Sequence, residues 1–155
     1  MKIRRWAGVA AAGLILALVP VVPADANVPA QAGPAARAAV TQVNITNRYP
    51  HQVQAFVGYD SSDCANWMVR GWFVIDSGDT THVANTSGSS VLFWAESNGD
   101  DAVWDGSALT VNIPNERFGT CDTYLQQALP GTRRLGMRMR TFSAGTPTYT
   151  IILTP

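Results

Sequence analysis

The chain has 155 residues, no net charge at pH 7, and is 14% charged and 46% hydrophobic. That length fits one domain. A balanced charge excludes an electrostatic nucleic-acid binder, which needs a basic patch to displace counterions from phosphates. The apolar content excludes a mostly disordered chain.

The zero is a sum over two unlike parts. Lys2, Arg4, Arg5 and Asp25 all lie in the first 26 residues. Without them eight basic residues face ten acidic ones, a net charge of −2, and no lysine remains. Residues 7–22 are apolar apart from Gly8, Gly13 and Pro20, and Ala24-Asp25-Ala26 places small residues where a signal peptidase reads. This three-part pattern predicts a secretory signal over residues 1–26, cleaved after Ala26. An apolar run of about 16 residues is shorter than the roughly 20 that span a bilayer. Prolines at 20 and 23 break it further, so no stable membrane insertion is expected after cleavage. Residues 27–40 (NVPAQAGPAARAAV) read as an Ala/Pro-rich flexible leader, with a short helix over 35–40 as the other reading.

Both cysteines, Cys64 and Cys121, belong to the exported part. In an oxidising compartment a pair is most simply one disulfide. A loop of that span predicts about 4 kcal/mol of stabilisation from chain entropy. A catalytic or metal-binding thiol is the alternative, and neither CxxC spacing nor a neighbouring histidine supports it.

From Thr41 onward apolar residues alternate with polar ones, and turn-forming clusters separate the alternating runs. These clusters include Asp60-Ser61-Ser62-Asp63, Asp76-Ser77-Gly78-Asp79, Asn98-Gly99-Asp100-Asp101 and Gly145-Thr146-Pro147. Most recur near every ten residues, which predicts an all-β domain over 41–155: an antiparallel β-sandwich or partly open barrel of about eight strands. The strands are expected at 42–46, 52–59, 67–75, 80–84, 90–96, 108–113, 135–142 and 148–154. One short helix is expected over 123–129, with Asp122 as its N-cap and Pro130-Gly131 as its stop.

Strict alternation also assigns faces. In 67–75, Trp67, Val69, Gly71, Phe73 and Ile75 would share one side, and Met68, Arg70, Trp72 and Val74 the other. In 90–96, Val91, Phe93 and Ala95 would oppose Leu92, Trp94 and Glu96. In 135–142, Leu135, Met137 and Met139 would oppose Arg138, Arg140 and Phe142.

The order of short motifs resembles a family of small exported bacterial proteins, the domain of unknown function 1036 family. The matching residues are Ile45-Thr46-Asn47, Ala55-Phe56-Val57-Gly58-Tyr59, and Trp67 through Gly71-Trp72-Phe73. Ser77-Gly78, Val91 to Ala95, Trp104-Asp105-Gly106 and Cys121 follow in order. The resemblance covers residues 43–153 and implies an exported β domain, with no established reaction. The family usually carries further cysteines where this chain has Thr46, Thr80 and the strand at 109–111. The family's disulfide pattern is therefore not carried over.

Catalytic patterns are sparse. His51 and His82 sit in a turn and a strand, and no serine lies in Gly-x-Ser-x-Gly. Glu96, Asp100, Asp101 and Asp105 could serve as paired acids in a hydrolase, but loop carboxylates beside Gly and Asn more often cap turns. The same run, Glu96-x-Asn98-x-Asp100-Asp101, offers oxygen ligands at alternate positions and makes calcium a candidate cofactor. No catalytic residue, resident metal or other cofactor is assigned.

The sharpest expectation is a binding surface of Arg70, Trp72, Trp94 and Glu96, extended by Arg138 and Arg140. Exposed Trp and Arg are typical anchors, and an exposed Trp can stack on a sugar ring. The competing reading is that these aromatics pack inside. The functional expectation is a secreted, non-enzymatic binding module. Its partner would be an envelope protein or glycan, with neither nucleic acid nor a membrane as partner. A small extracellular hydrolase and a purely structural envelope protein are the alternatives.

Overall fold

A computed structural model describes residues 39–155. The expected signal segment, 1–26, and residues 27–38 of the expected leader lie outside the described residues.

Ten strands and one helical turn follow in order: β1 (Thr41–Asn47), β2 (Val53–Asp60), β3 (Trp67–Ile75), β4 (Thr80–Thr86), β5 (Ser90–Ser97), β6 (Val103–Trp104), β7 (Leu109–Pro114), β8 (Phe118–Cys121), α1 (Asp122–Leu125), β9 (Thr132–Thr141) and β10 (Thr148–Leu153). The domain is all-β, as the alternation predicts. The eight expected strands are all present. β6 and β8 are additional, two and four residues long, too short to show a period. One pair departs from the antiparallel expectation: β1 runs parallel to β10. The connection after β9 crosses from one sheet to the other, so β10 returns in the direction of β1 rather than as a hairpin partner.

β10, β1 and β4 form a three-stranded sheet. The larger sheet runs β7-β9-β5-β2-β3-β8, with β6 also on β5. One face of the larger sheet packs under the small sheet. Val53, Ala55, Val57, Val91, Phe93 and Ala95 meet Val43, Ile45, Val83, Ile151 and Leu153 there. The other face curls around a second core built from Phe56, Val69, Leu92, Trp94, Val111, Ile113, Leu125 and Met137. Two bonds draw the curled edges together: Trp72 Nε1 donates to Pro114 O at 2.9 Å, and Asn112 Nδ2 donates to Leu125 O at 3.1 Å. β2 and β5 are therefore buried on both faces, which explains their near-continuous apolar runs.

The helix is shorter than expected and its cap differs. α1 covers one turn, and Asp122 is its first residue rather than its N-cap. Asp122 is 3% exposed, and its Oδ1 accepts a bond from Trp67 N at 3.3 Å. Its carboxylate is thus committed to β3, not to the helix start. The expected disulfide is present between Cys64 and Cys121 and ties the β2–β3 loop to the end of β8.

Asn47 closes β1 and ties down two turns, β1–β2 and β3–β4. It is fully buried, and its Nδ2 donates to His51 O at 2.9 Å and to Ile75 O at 3.0 Å. Its Oδ1 accepts from Tyr49 N at 2.9 Å. Its backbone carbonyl accepts from Gly78 N at 2.7 Å; Gly78 stands at φ +89°, a conformation that suits glycine.

Candidate functional site

The expected Arg70–Trp72–Trp94–Glu96 surface does not form. A β-bulge in the β2–β3 ladder, between Ala55 and Phe56, places one extra residue in β3. After a bulge the two-residue alternation changes face. Arg70 keeps the face of Val57, whereas Trp72 turns to the side of Val69 and joins the second core. Gly71 sits at the crossing point, where a Cβ would lie 2.5 Å from the Cβ of Phe56. Phe73 and Ile75 follow on the first-core face, so the second half of the strand obeys the expected alternation out of phase with the first.

Trp94 is 2% exposed. It stacks on Phe56 with ring centroids 5.3 Å apart and meets Trp72 edge-on at 5.8 Å. A ring in that position cannot stack on a sugar, so the exposed-tryptophan platform is corrected to a buried aromatic cluster. Packing wins because burying an aromatic of this size removes a large apolar area from water.

Glu96 lies on the same inner face, at the rim of this core. Arg133 grips it through two 2.7 Å bonds, Nη1 to Oε1 and Nη2 to Oε2, and Gln54 Nε2 also donates to Oε1. The Arg133 guanidinium lies 5.5 Å from the Trp94 ring centroid. The Arg133 bonds are the main reason the Glu96 carboxyl is held below the usual carboxylate range, with Gln54 adding to the effect and partial burial opposing it. The same bonds raise Arg133. Sequence reading missed Arg133, whose only signal was an Arg-Arg pair near the start of a strand.

Arg138 and Arg140 belong to the opposite face, opposite Phe93 and Val91 in the ladder. Arg138 Nε donates to Asp105 O at 2.8 Å, and Arg140 lies 5.9 Å from the Phe93 ring centroid. Neither joins Trp94 or Glu96.

The acidic run diverges likewise. Glu96 turns inward to Arg133, while Asp100 accepts a 2.8 Å bond from the Tyr49 hydroxyl. That bond is the main cause of the low Asp100 pKa and of the raised Tyr49 pKa. His51 Nε2 stands 3.7 Å from Asp100 Oδ2, both side chains exposed. His82 Nδ1 lies 3.3 Å from Asn44 Oδ1, on the small sheet. Among the described residues no group of three or more His, Cys, Asp or Glu side chains converges to hold a metal ion.

Arg70, of the expected surface, lines a cleft. The small sheet ends at β4, whereas the larger sheet continues through β3 to β8. This mismatch leaves part of the first-core face uncovered, as a ledge beside β4. The resulting cleft has a volume of about 490 Å³. Tyr59, Arg70 and Phe73 form its floor, Arg117 enters from the β7–β8 turn, and residues 81–85 of β4 make one wall. The Arg70 guanidinium lies 6.0 Å from the Phe73 ring centroid. Among the described residues no carboxylate lines the cleft, and neither Arg70 nor Arg117 makes an ion pair or a side-chain hydrogen bond. Sequence reading missed Arg117, Tyr59 and His82 as neighbours of Arg70, because they come from three separate segments.

Comparison of the chain with protein-family models, curated proteins and solved structures returns no match.

Proposed function

We propose that this chain is a secreted binding module that acts without catalysis and takes a negatively charged ligand in the cleft between β3 and β4. The observation that carries the reading is the pair of uncompensated arginines, Arg70 and Arg117, in one concave site with aromatic side chains in its floor. Two guanidiniums facing one space repel each other, and an anion relieves that repulsion while accepting their hydrogen bonds. The rings of Phe73 and Tyr59 supply apolar contact for the rest of the ligand. The disulfide suits an oxidising compartment, and the signal-like segment gives the route there. The resemblance to the domain of unknown function 1036 family agrees with an exported protein and adds no reaction. The partner belongs outside the cytoplasm, as an acidic component of the envelope or its surroundings.

Two measurements test this. Mass spectrometry of the exported protein should find Asn27 as its first residue; an intact Met1 terminus would remove the cleaved-signal part. Titration with inorganic phosphate, followed by backbone amide NMR, should shift signals from Arg70, Phe73, His82 and Arg117 together. The shifts should weaken with added salt, as exposed charge contacts do. Scattered or absent shifts would overturn the cleft as a binding site.

A further inference from the structure

The cleft has one wall that side-chain chemistry does not explain. Residues 81–85, five in a row, belong to β4, the outer strand of the small sheet. Outside their ladder with β1 these residues make no backbone–backbone hydrogen bond among the described residues. A strand edge of this kind presents a row of free N–H and C=O groups. Natural edges are often blunted by charge, proline or a bulge; β4 (TTHVANT) contains neither Lys, Arg, Asp, Glu nor Pro, and it carries a bulge at Val83, opposite the Val43–Asn44 step of β1.

Taking the cleft as a binding site, we propose that its occupant is an extended acidic peptide segment that adds to β4 as a fourth strand of the small sheet. The dimensions agree. A strand added beside β4 lies about 4.8 Å from it, and packed sheets stand about 10 Å apart. Such a strand would cover the ledge formed by Phe73 and Arg70, and its inward side chains would fill the space between the layers. Main-chain bonds to β4 would supply affinity that is independent of sequence, and alternate side chains would supply selectivity. Apolar residues suit Phe73 and Tyr59, and carboxylates suit Arg70 and Arg117. The two arginines also argue against a second copy of this chain as the occupant. Pairing of β4 with β4 about a two-fold axis brings the same cationic patch of both copies together, and like charges at close range repel.

The test uses the secreted protein and a short Glu-Val peptide in which every second residue is Thr, so that Glu and Val follow one another along a single face of the strand. Three probes accompany it: the same peptide N-methylated at alternate amides, a Lys-Val peptide, and inorganic phosphate. The Glu-Val peptide should bind and should slow hydrogen exchange of amides within residues 81–85. The Lys-Val peptide should not bind. N-methylation keeps the charge and removes ladder donors, so it should weaken binding by roughly tenfold or more. The Arg70→Ala/Arg117→Ala double variant should also lose roughly tenfold, the scale of two exposed charge contacts. Both arginines are outside the two cores, and a normal melting profile for the variant verifies that it folds.

If phosphate shifts the cleft but the N-methylated peptide binds as well as its parent, strand addition is overturned and the anion site stands. If neither phosphate nor any peptide binds, both readings fall. Sedimentation that shows a dimer with β4 amides protected before peptide is added would make a second copy the occupant and overturn the acidic-peptide proposal.

Discussion

Trp94 stacks on Phe56 with ring planes 22° apart, and both side chains are all but removed from water. The contact joins β5 to β2 on the face of the larger sheet that the small sheet does not cover. It makes that face a second core rather than a recognition surface.

Trp94→Ala should therefore act on stability. Emptying a site of this size costs about 3–5 kcal/mol. Urea unfolding should show a midpoint far below that of the parent. A variant that melts normally while losing a ligand would mean that Trp94 is a contact residue instead.

The Glu96–Arg133 pair predicts a pH dependence. The folded pKa of Glu96 is lowered, first by its bonds to Arg133. The pair's contribution is therefore fully present above the unfolded glutamate value, about 4.3. It is lost as pH falls through the lower folded value. Asp100 is shifted in the same direction by Tyr49 and adds to the same window. Glu96→Gln should give a flatter profile of urea midpoint against pH in this acidic range, with the Asp100 part remaining. Parallel profiles for the two proteins would show that the pair contributes nothing measurable.

Asn47 makes a third prediction. Asn47→Ala leaves Ile75 O, His51 O and Tyr49 N without the partners they have now. The buried one of these, Ile75 O, costs about 1–3 kcal/mol when unmet. Thermal unfolding should register a loss larger than Trp94-independent surface variants such as Thr150→Ala. Hydrogen exchange should rise first in the β1–β2 and β3–β4 turns, and uniform loosening instead would contradict the local role given to Asn47.

Reduction of Cys64–Cys121, or a Cys64→Ser/Cys121→Ser double variant, should lower stability by about 4 kcal/mol in the chain-entropy view. Unfolding of the reduced and oxidised proteins checks this directly. Equal midpoints would mean that the 57-residue separation constrains little in the unfolded chain.

Sequence patterning carried a good deal of this fold. The long strands announce themselves by β-branched residues and turn clusters, and the cysteine pair by its count and its place after a signal-like segment. The short strands β6 and β8 were silent because two to four residues hold no period. The binding-surface expectation failed at the β3 bulge, since strand parity assumes an uninterrupted ladder. One inserted residue near Gly71 sends Arg70 and Trp72 to opposite faces. Glu96 was legible as a notable acid, but not its partner Arg133, which lies 37 residues away.

The amino-acid order by itself determined that this is a β domain with one disulfide, because alternation, turn chemistry and thiol count are local properties. Which apolar faces meet which was decided only by the tertiary structure. Two sheets of unequal width bury both faces of β2 and β5, absorb the tryptophans, and leave Arg70 and Arg117 on the uncovered ledge beside β4. Width and curl are properties of the assembled sheets, set by strand pairing across the whole domain, and no window of sequence contains them.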